Sequence, residues 1–441
     1  MNVEDVLKSY AIAITEKVPE GLTRDVYAML KAQFKGNIEQ IVEMYKCGND
    51  PDYVRLKFYA DGKSRQWWLF VPRHMEITSS GVVFIAPNNF KVLCEWAKLK
   101  GFSDEDILSM RSNYILAHVN VSSKYATVRR IQLLKGKADV ETAKKLIKQL
   151  PPIAVLTWGL GWNINWELIR LNLVRFTANV KLFGDGIIPT IQLTKHGTGK
   201  STHAIFCQEV LGYAYVSKIP TVAGLIYDAR TGAMGLIGKD GIIFDEFTDI
   251  GAIDKHRAQE ITNVIKTGID KGIWTRETAI PRGTSRIIQK YVPFIWYGNF
   301  EVEPLNCRQH IAEWFKENCG IRAPDAFVDR FALIDITMSF APQVASLAHK
   351  YVLRANIMRG VLQVVKQIAE SKPLDKYYNE SKLSGRMKVF SARVRAVFEA
   401  LLSTGDVQVE FEQKEIDSIV YSNDWGEVND FIKSYVKEVI G

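Results

Sequence analysis

Cysteine is scarce and scattered in this chain of 441 residues. Five occur, at Cys47, Cys94, Cys207, Cys307 and Cys319, and none belongs to a Cys-x-x-Cys pair. A structural zinc site needs four converging ligands, usually drawn from closely spaced pairs. No cysteine-bound metal is therefore expected, and the thiols read as reduced core residues of a cytosolic, cytoplasmic protein. Long apolar runs are missing too. The longest, at 151–160, is far short of the ~20 residues that cross a bilayer. Residues 1–10 carry Glu4 and Asp5 and no apolar signal core, so neither membrane insertion nor secretion is expected. Over residues 1–120 no repeat, low-complexity segment or catalytic motif is found. A content of 47% hydrophobic and 24% charged residues excludes disordered, collagenous and coiled-coil readings.

What is present begins with positive charge. The net charge is +8, and most of the excess is concentrated in one stretch. Between Lys124 and Lys148 eight cations (Lys124, Arg129, Arg130, Lys135, Lys137, Lys144, Lys145 and Lys148) face two acids, Asp139 and Glu141. Clustered cations can neutralise phosphates and release counterions, the usual source of sequence-independent DNA affinity. Residues 140–150 also read as an amphipathic helix that turns Lys144, Lys145 and Lys148 outward, so a merely solvated face is the competing reading.

A single core stops growing at ~250–300 residues, so two or three domains are expected. Helical spacing marks residues 5–14 and 23–45. A hairpin follows, with strands at 54–60 and 66–71 about the turn Asp61-Gly62. Residues 82–85 suit a further strand, and Ser103 followed by three acids suits a helix start. Pro151-Pro152 marks a boundary. Beyond it, apolar strand runs at 186–193, 241–244 and 291–297 alternate with helical stretches at 201–211 and 255–270. That alternation argues for a parallel sheet between helices. Helices are expected at 344–360 and 387–402. The division is thus an α+β domain over 1–150, with a basic C-terminal segment, an α/β core over 151–340 and a helical lid over 341–441.

The core carries the chemistry. Thr194-Lys195-His196-Gly197-Thr198-Gly199-Lys200-Ser201-Thr202 follows an expected strand and opens an expected helix, the context of a P-loop. Glycines let backbone N–H groups curl around phosphate oxygens. Lys200 would reach the β- and γ-phosphates of ATP, and Ser201 would place its hydroxyl on Mg²⁺. The usual first glycine is Thr194 here. Downstream, Gly241-Ile242-Ile243-Phe244-Asp245-Glu246 is an apolar strand ending in two acids. Buried carboxylates at a strand end are costly unless they face a cation or polarise water. Asp245 would hold Mg²⁺, and Glu246 would orient and deprotonate the attacking water. A third strand ends at Gly298-Asn299, where the amide could hold the same water.

This order, completed by Asp329-Arg330-Phe331, resembles an AAA+ ATPase. Ala223-Gly224-Leu225 and the segment from Gly235 to Phe247 resemble minichromosome maintenance helicases and the Lon-like ATPase of BREX phage-defence systems. So does the helix at 259–273 that leads into Trp274-Thr275-Arg276. The resemblance covers about 153–400 and implies a P-loop AAA+ core with a central parallel sheet. It further implies a ring, usually a homo-hexamer, with ATP between subunits and Arg330 as the arginine finger. Arg393 is its sensor arginine on the lid, with Arg386 and Arg395 as rivals. The hairpin before the third strand would project into the ring channel and offer Trp274, Arg276, Arg282 and Arg286 to DNA; the competing reading packs Trp274 in the core and leaves the arginines merely exposed. A second insertion at 228–233 contains Arg230. The leading expectation is a DNA helicase or translocase. A remodeller of proteins and a nucleotide-switched assembly factor are the alternatives.

Overall fold

The computed structural model describes residues 3–13, 38–46, 53–60, 66–72, 115–121, 126–133, 138–184, 186–194, 198–216, 220–226, 235–245, 255–276, 286–298, 307–319, 321–337, 351–353 and 355–440. Its centre is a five-stranded, wholly parallel sheet of β7 (Thr190–Thr194), β8 (Ala214–Val216), β9 (Ile242–Phe244), β12 (Phe294–Gly298) and β13 (Leu333–Thr337). Across the sheet the order is β13-β7-β12-β9-β8. Both faces are covered, so every residue of β7, β9 and β12 is buried, as parallel sheets between helices require. Two apolar clusters fill the space on either side of the sheet. In one, Trp296, Phe315 and Phe327 pack edge to face and Phe244 stacks on Trp296. The other runs continuously into the C-terminal helices through Trp158, Phe176 and Phe398.

The strands at 186–193, 241–244 and 291–297 are found with their ends shifted by a few residues, and the helices Lys200–Leu211 and Lys255–Lys271 fall as read. Other expectations need correction. Residues 38–46, expected to be helical, form β2 (Ile38–Lys46), paired antiparallel with β3 (Tyr53–Ala60). The pairing shifts register at Ile38/Gln40 and again at Ile41/Glu43. Such bulges let a segment with helix-like apolar spacing follow a neighbouring strand. β3 and β4 (Gln66–Pro72) make the expected hairpin, and β5 (Ile115–Val121) and β6 (Ala126–Leu133) complete an antiparallel sheet β2-β3-β4-β5-β6. Residues 82–85, 103–106 and 344–350 lie outside the described residues.

The first helix, Val3–Tyr10, ends earlier than expected, because β1 (Ala11–Ala13) pairs antiparallel with β14 (Tyr351–Leu353). That pairing also delays the lid helix to Ala355–Ser371. The helix Val140–Gln149 is capped by Asp139, whose Oδ1 accepts from Thr142 N at 3.0 Å. It buries Ala143, Leu146 and Ile147. Gly360 lets the backbone of Asp139 approach so closely that a Cβ would meet its carbonyl. Val3–Ala13 and the helix Val140–Gln149 both lie within 1–150, yet both join the apolar cluster of the C-terminal helices. Those helices continue as Leu374–Glu380, Gly385–Leu402, Gln413–Ser422 and Gly426–Tyr435. Among the described residues no helix is long and apolar enough to cross a membrane.

Candidate nucleotide-binding site

Parallel strands all point one way, so the C-terminal ends of β7, β9 and β12 share one edge of the sheet. The chain leaves β7 at Thr194, whose hydroxyl lies 2.6 Å from that of Thr198. Both residues are buried, so the two hydroxyls satisfy each other and clamp the loop shut at its neck. Gly199 takes φ +77° and packs against the Trp162 ring. Lys200 then starts the helix Lys200–Leu211 and turns its ammonium back. Nζ donates to Thr194 O and to Gly298 O, each at 2.8 Å. The cation therefore stands between the ends of β7 and β12, at the positive N-terminus of a helix. Ser201 is exposed and Thr202 half-buried in the first turn. Lys195, His196 and Gly197 lie outside the described residues.

Asp245 follows β9 directly and is 7% exposed. Its backbone N donates to Val216 O at 2.8 Å, and the Tyr215 hydroxyl donates to its Oδ2. Hydroxyl and carboxylate oxygens are the hard donors that Mg²⁺ takes from proteins, usually one or two carboxylates alongside substrate phosphates. Ser201 and Asp245 fit that chemistry. Glu246 and Asn299 lie outside the described residues.

Behind the loop sits a group of polar residues that sequence reasoning missed. Arg175, on the helix Trp166–Asn179, is fully buried and donates from Nη2 to Thr198 O at 2.7 Å. Its other partners are the Gln192 and Asn172 side chains, at 3.2 and 3.5 Å. Burial lowers its pKa, and Tyr297 and Asp335 oppose that shift. On the phosphate-loop helix, the His203 ring bonds the Tyr297 hydroxyl at Nδ1 and Asn179 Oδ1, at 2.9 Å, through Nε2. Burial, then the nearby Arg175, holds its pKa well below the ordinary value, so the imidazole is neutral at pH 7. The available signal was an arginine inside an apolar run, Leu173-Val174-Arg175-Phe176.

The arginines expected from the family are distributed differently from one another. Arg330 is paired with Asp270 at 3.1 Å, and its Nη1 donates to Ala326 O. Arg386 takes the other Asp270 oxygen and reaches Asp329 O at 3.5 Å. Asp270, on the helix Lys255–Lys271, was not anticipated. Arg393, the expected sensor arginine, donates to Ile187 O at 3.4 Å. That carbonyl precedes β7, whereas the phosphate loop leaves its opposite end. Arg395 is buried against Glu399 and Glu380, at 2.9 and 2.7 Å.

The hairpin exists as an antiparallel ribbon of β10 (Ile273–Arg276) and β11 (Arg286–Gln289). Trp274, expected to stack on DNA, is a core residue. It is fully buried, seats on Gly268, and donates from Nε1 to Lys290 O at 2.8 Å. The period-2 alternation of the strand turns it inward. Its neighbour Thr275 and the facing Ile287, at 69% exposure, point outward. The register sets Arg276 directly opposite Arg286. Arg282 and Arg230 lie outside the described residues. Lys144, Lys145 and Lys148 are exposed on the helix Val140–Gln149, as read.

A model of the family described as Lon-like protease BrxL-like, ATPase domain, matches residues 183–422. The uncharacterized protein ORF426 of Acidianus filamentous virus 1 is 25% identical over 409 residues, 85% of this chain and 90% of its own. The uncharacterized protein 440 of Sulfolobus islandicus rod-shaped virus 1 is 26% identical over 313 residues, 67% of this chain and 69% of its own. Among solved structures, a full-length MCM homolog from Methanopyrus kandleri aligns with a TM-score of 0.40 and 11% identity. That alignment covers 90% of this chain and 76% of the homolog.

Proposed function

This chain belongs to the BrxL-like ATPase-domain family and is an ATPase of AAA+ type, and on that premise we propose that it is a ring-forming motor that moves DNA. ATP binds with its phosphates in the loop from Thr194 to Thr202. The Lys200 ammonium exchanges two backbone carbonyls for β- and γ-phosphate oxygens, a stronger charge-assisted pairing. Ser201 and Asp245 would hold Mg²⁺, which would supply neutralisation of charge on the phosphates. Tyr215 keeps the Asp245 carboxylate oriented. Glu246 takes the proton of the attacking water, and Asn299 holds that water in line. Arg330 comes from the neighbouring subunit of a hexameric ring and stabilises the departing γ-phosphoryl group. Arg386 shares Asp270 with Arg330, so it is the lid arginine that accompanies the finger into that neighbour's site.

One observation carries the DNA reading: the register that faces Arg276 with Arg286 across the ribbon. Two cationic positions at one level of a strand pair supply positive charge of the kind that neutralises phosphates. Exposed Lys144, Lys145 and Lys148 add a basic collar. The exposed Ile287 on the same ribbon favours a second reading, a motor that grips polypeptide. ATPase rates with and without single- and double-stranded DNA separate the two. Stimulation that weakens with added salt supports DNA, and indifference to DNA moves the polypeptide reading ahead.

A further inference from the structure

At the base of the β10–β11 ribbon Lys290 makes several bonds. Its backbone N donates to Gly272 O at 2.7 Å, and its carbonyl accepts from Trp274 Nε1. Those bonds close the ribbon on itself. The side chain does something else. Nζ donates to Ile237 O at 2.9 Å and to Lys239 O at 2.7 Å. These carbonyls belong to the tight turn around Leu236–Gly238, which runs through Asp240 and Gly241 into β9 and so to Asp245. A charged donor makes bonds roughly twice as strong as neutral ones. The ammonium is half-buried; burial lowers its pKa, and Asp240 opposes the shift.

Beside the Ile242 N to Pro293 O bond at 2.9 Å, which ties the start of β9 to the chain ahead of β12, two mechanical routes run from the ribbon to the catalytic edge among the described residues. One is covalent: the chain passes from Lys290 through Tyr291 into β12, whose end is Gly298. The other crosses space through the Lys290 ammonium to the turn ahead of β9. β12 and β9 are hydrogen-bonded neighbours, with Trp296 opposite Phe244. A push on the ribbon that moved β12 alone would shear that pairing. With Lys290 in place, the turn ahead of β9 follows.

We propose that Lys290 is the positioning residue that couples the ribbon to the Asp245 strand, so that ribbon movement and ATP chemistry change together. What pushes the ribbon rests on the DNA-motor reading; what the ribbon pushes rests on these contacts alone.

The test compares Lys290→Met and Lys290→Arg in the full chain. Hydrogen exchange of the amides at 273–276 and 286–289 is read with and without a non-hydrolysable ATP analogue. In the wild type and in Lys290→Arg, the analogue should change exchange by about fivefold or more, the lower end of typical coupling between sites. In Lys290→Met that response should be lost while the analogue still binds. An equal response in Lys290→Met, or none in the wild type, overturns the proposal. If Lys290→Met does not fold, Lys290→Gln is read in its place by the same criteria. A parallel arm measures ATPase stimulation by single-stranded DNA. Loss of stimulation in Lys290→Met alone supports coupling of DNA to turnover. A wild type indifferent to DNA, with the exchange response still dependent on Lys290, removes the DNA reading and leaves the coupling standing.

Discussion

Among the described residues two arginines are buried, Arg395 and Arg175, and their surroundings differ. In the lid, Arg395 lies between the carboxylates of Glu399 and Glu380 and over the Tyr377 ring. Burial lowers its pKa, but the bonds to Glu399 and Glu380 outweigh that and leave it raised. In the core, among the described residues Arg175 hydrogen-bonds neutral acceptors, the Thr198 carbonyl and the Gln192 and Asn172 amides, and burial lowers its pKa against the opposing Tyr297 and Asp335. The lid neutralises its cation internally and gains a fixed fold. The core keeps a desolvated positive charge against the phosphate loop, where an anion is the natural complement.

Substitutions can break or sharpen this contrast. The largest effect belongs to Arg330, proposed for the subunit interface, which in the described contacts answers to Asp270. Arg330→Ala should leave ATP affinity nearly intact and lower turnover by about 10³-fold. Mixing it with Lys200→Ala protein should restore some activity, because each variant supplies the half-site the other lacks. No recovery in any mixture removes the shared site.

Arg395→Met leaves Glu399 with Lys372, the Tyr377 hydroxyl and the Phe411 amide, so by denaturant unfolding it should cost stability, by less than the ~3–5 kcal/mol of a fully uncompensated buried charge. Nucleotide affinity of the folded fraction should stay unchanged. The reverse applies to Arg175→Met. Losing the charged bond to the Thr198 carbonyl should weaken nucleotide binding by roughly 1.5–3 kcal/mol, measured by titration, with a smaller loss of stability. If the lid variant loses affinity and the core variant does not, the contrast drawn here is wrong.

The smallest effect is on pH. The folded-state pKa of His203 lies well below that of the unfolded chain, because burial and Arg175 oppose its charge. The unfolded state then binds the extra proton, so stability falls as pH drops below about 6.5, by at most ~1.4 kcal/mol per pH unit. His203→Gln should flatten that slope between roughly pH 5 and 6.5. An unchanged slope assigns it to other groups.

Legibility followed sequence distance. Thr194, Lys200 and Asp245 were readable because strand, loop and helix there are contiguous and the needed residue types are local. Arg175 and Thr198 stand 23 residues apart, and Lys290 and Ile237 stand 53 apart; such contacts exist only once the sheet is built. Asp270 meets Arg330 and Arg386 for the same reason. Trp274 misled because an aromatic beside cations looks like a stacking platform, yet strand alternation turned it onto Gly268. β2 misled because its apolar spacing is helical, and pairing with β3 overrode it.

Position 199 imposes a double lock on replacement. A side chain there would meet the Trp162 ring, and the backbone holds φ +77°. The first obstacle is a matter of room, and shortening Trp162 relieves it. The second belongs to the peptide chain itself, and no partner change relieves it. Gly199→Ala with Trp162→Ala should therefore recover the space and still carry a left-handed penalty of about 1 kcal/mol. Drift or design can repaint the walls around this loop, but residue 199 stays glycine.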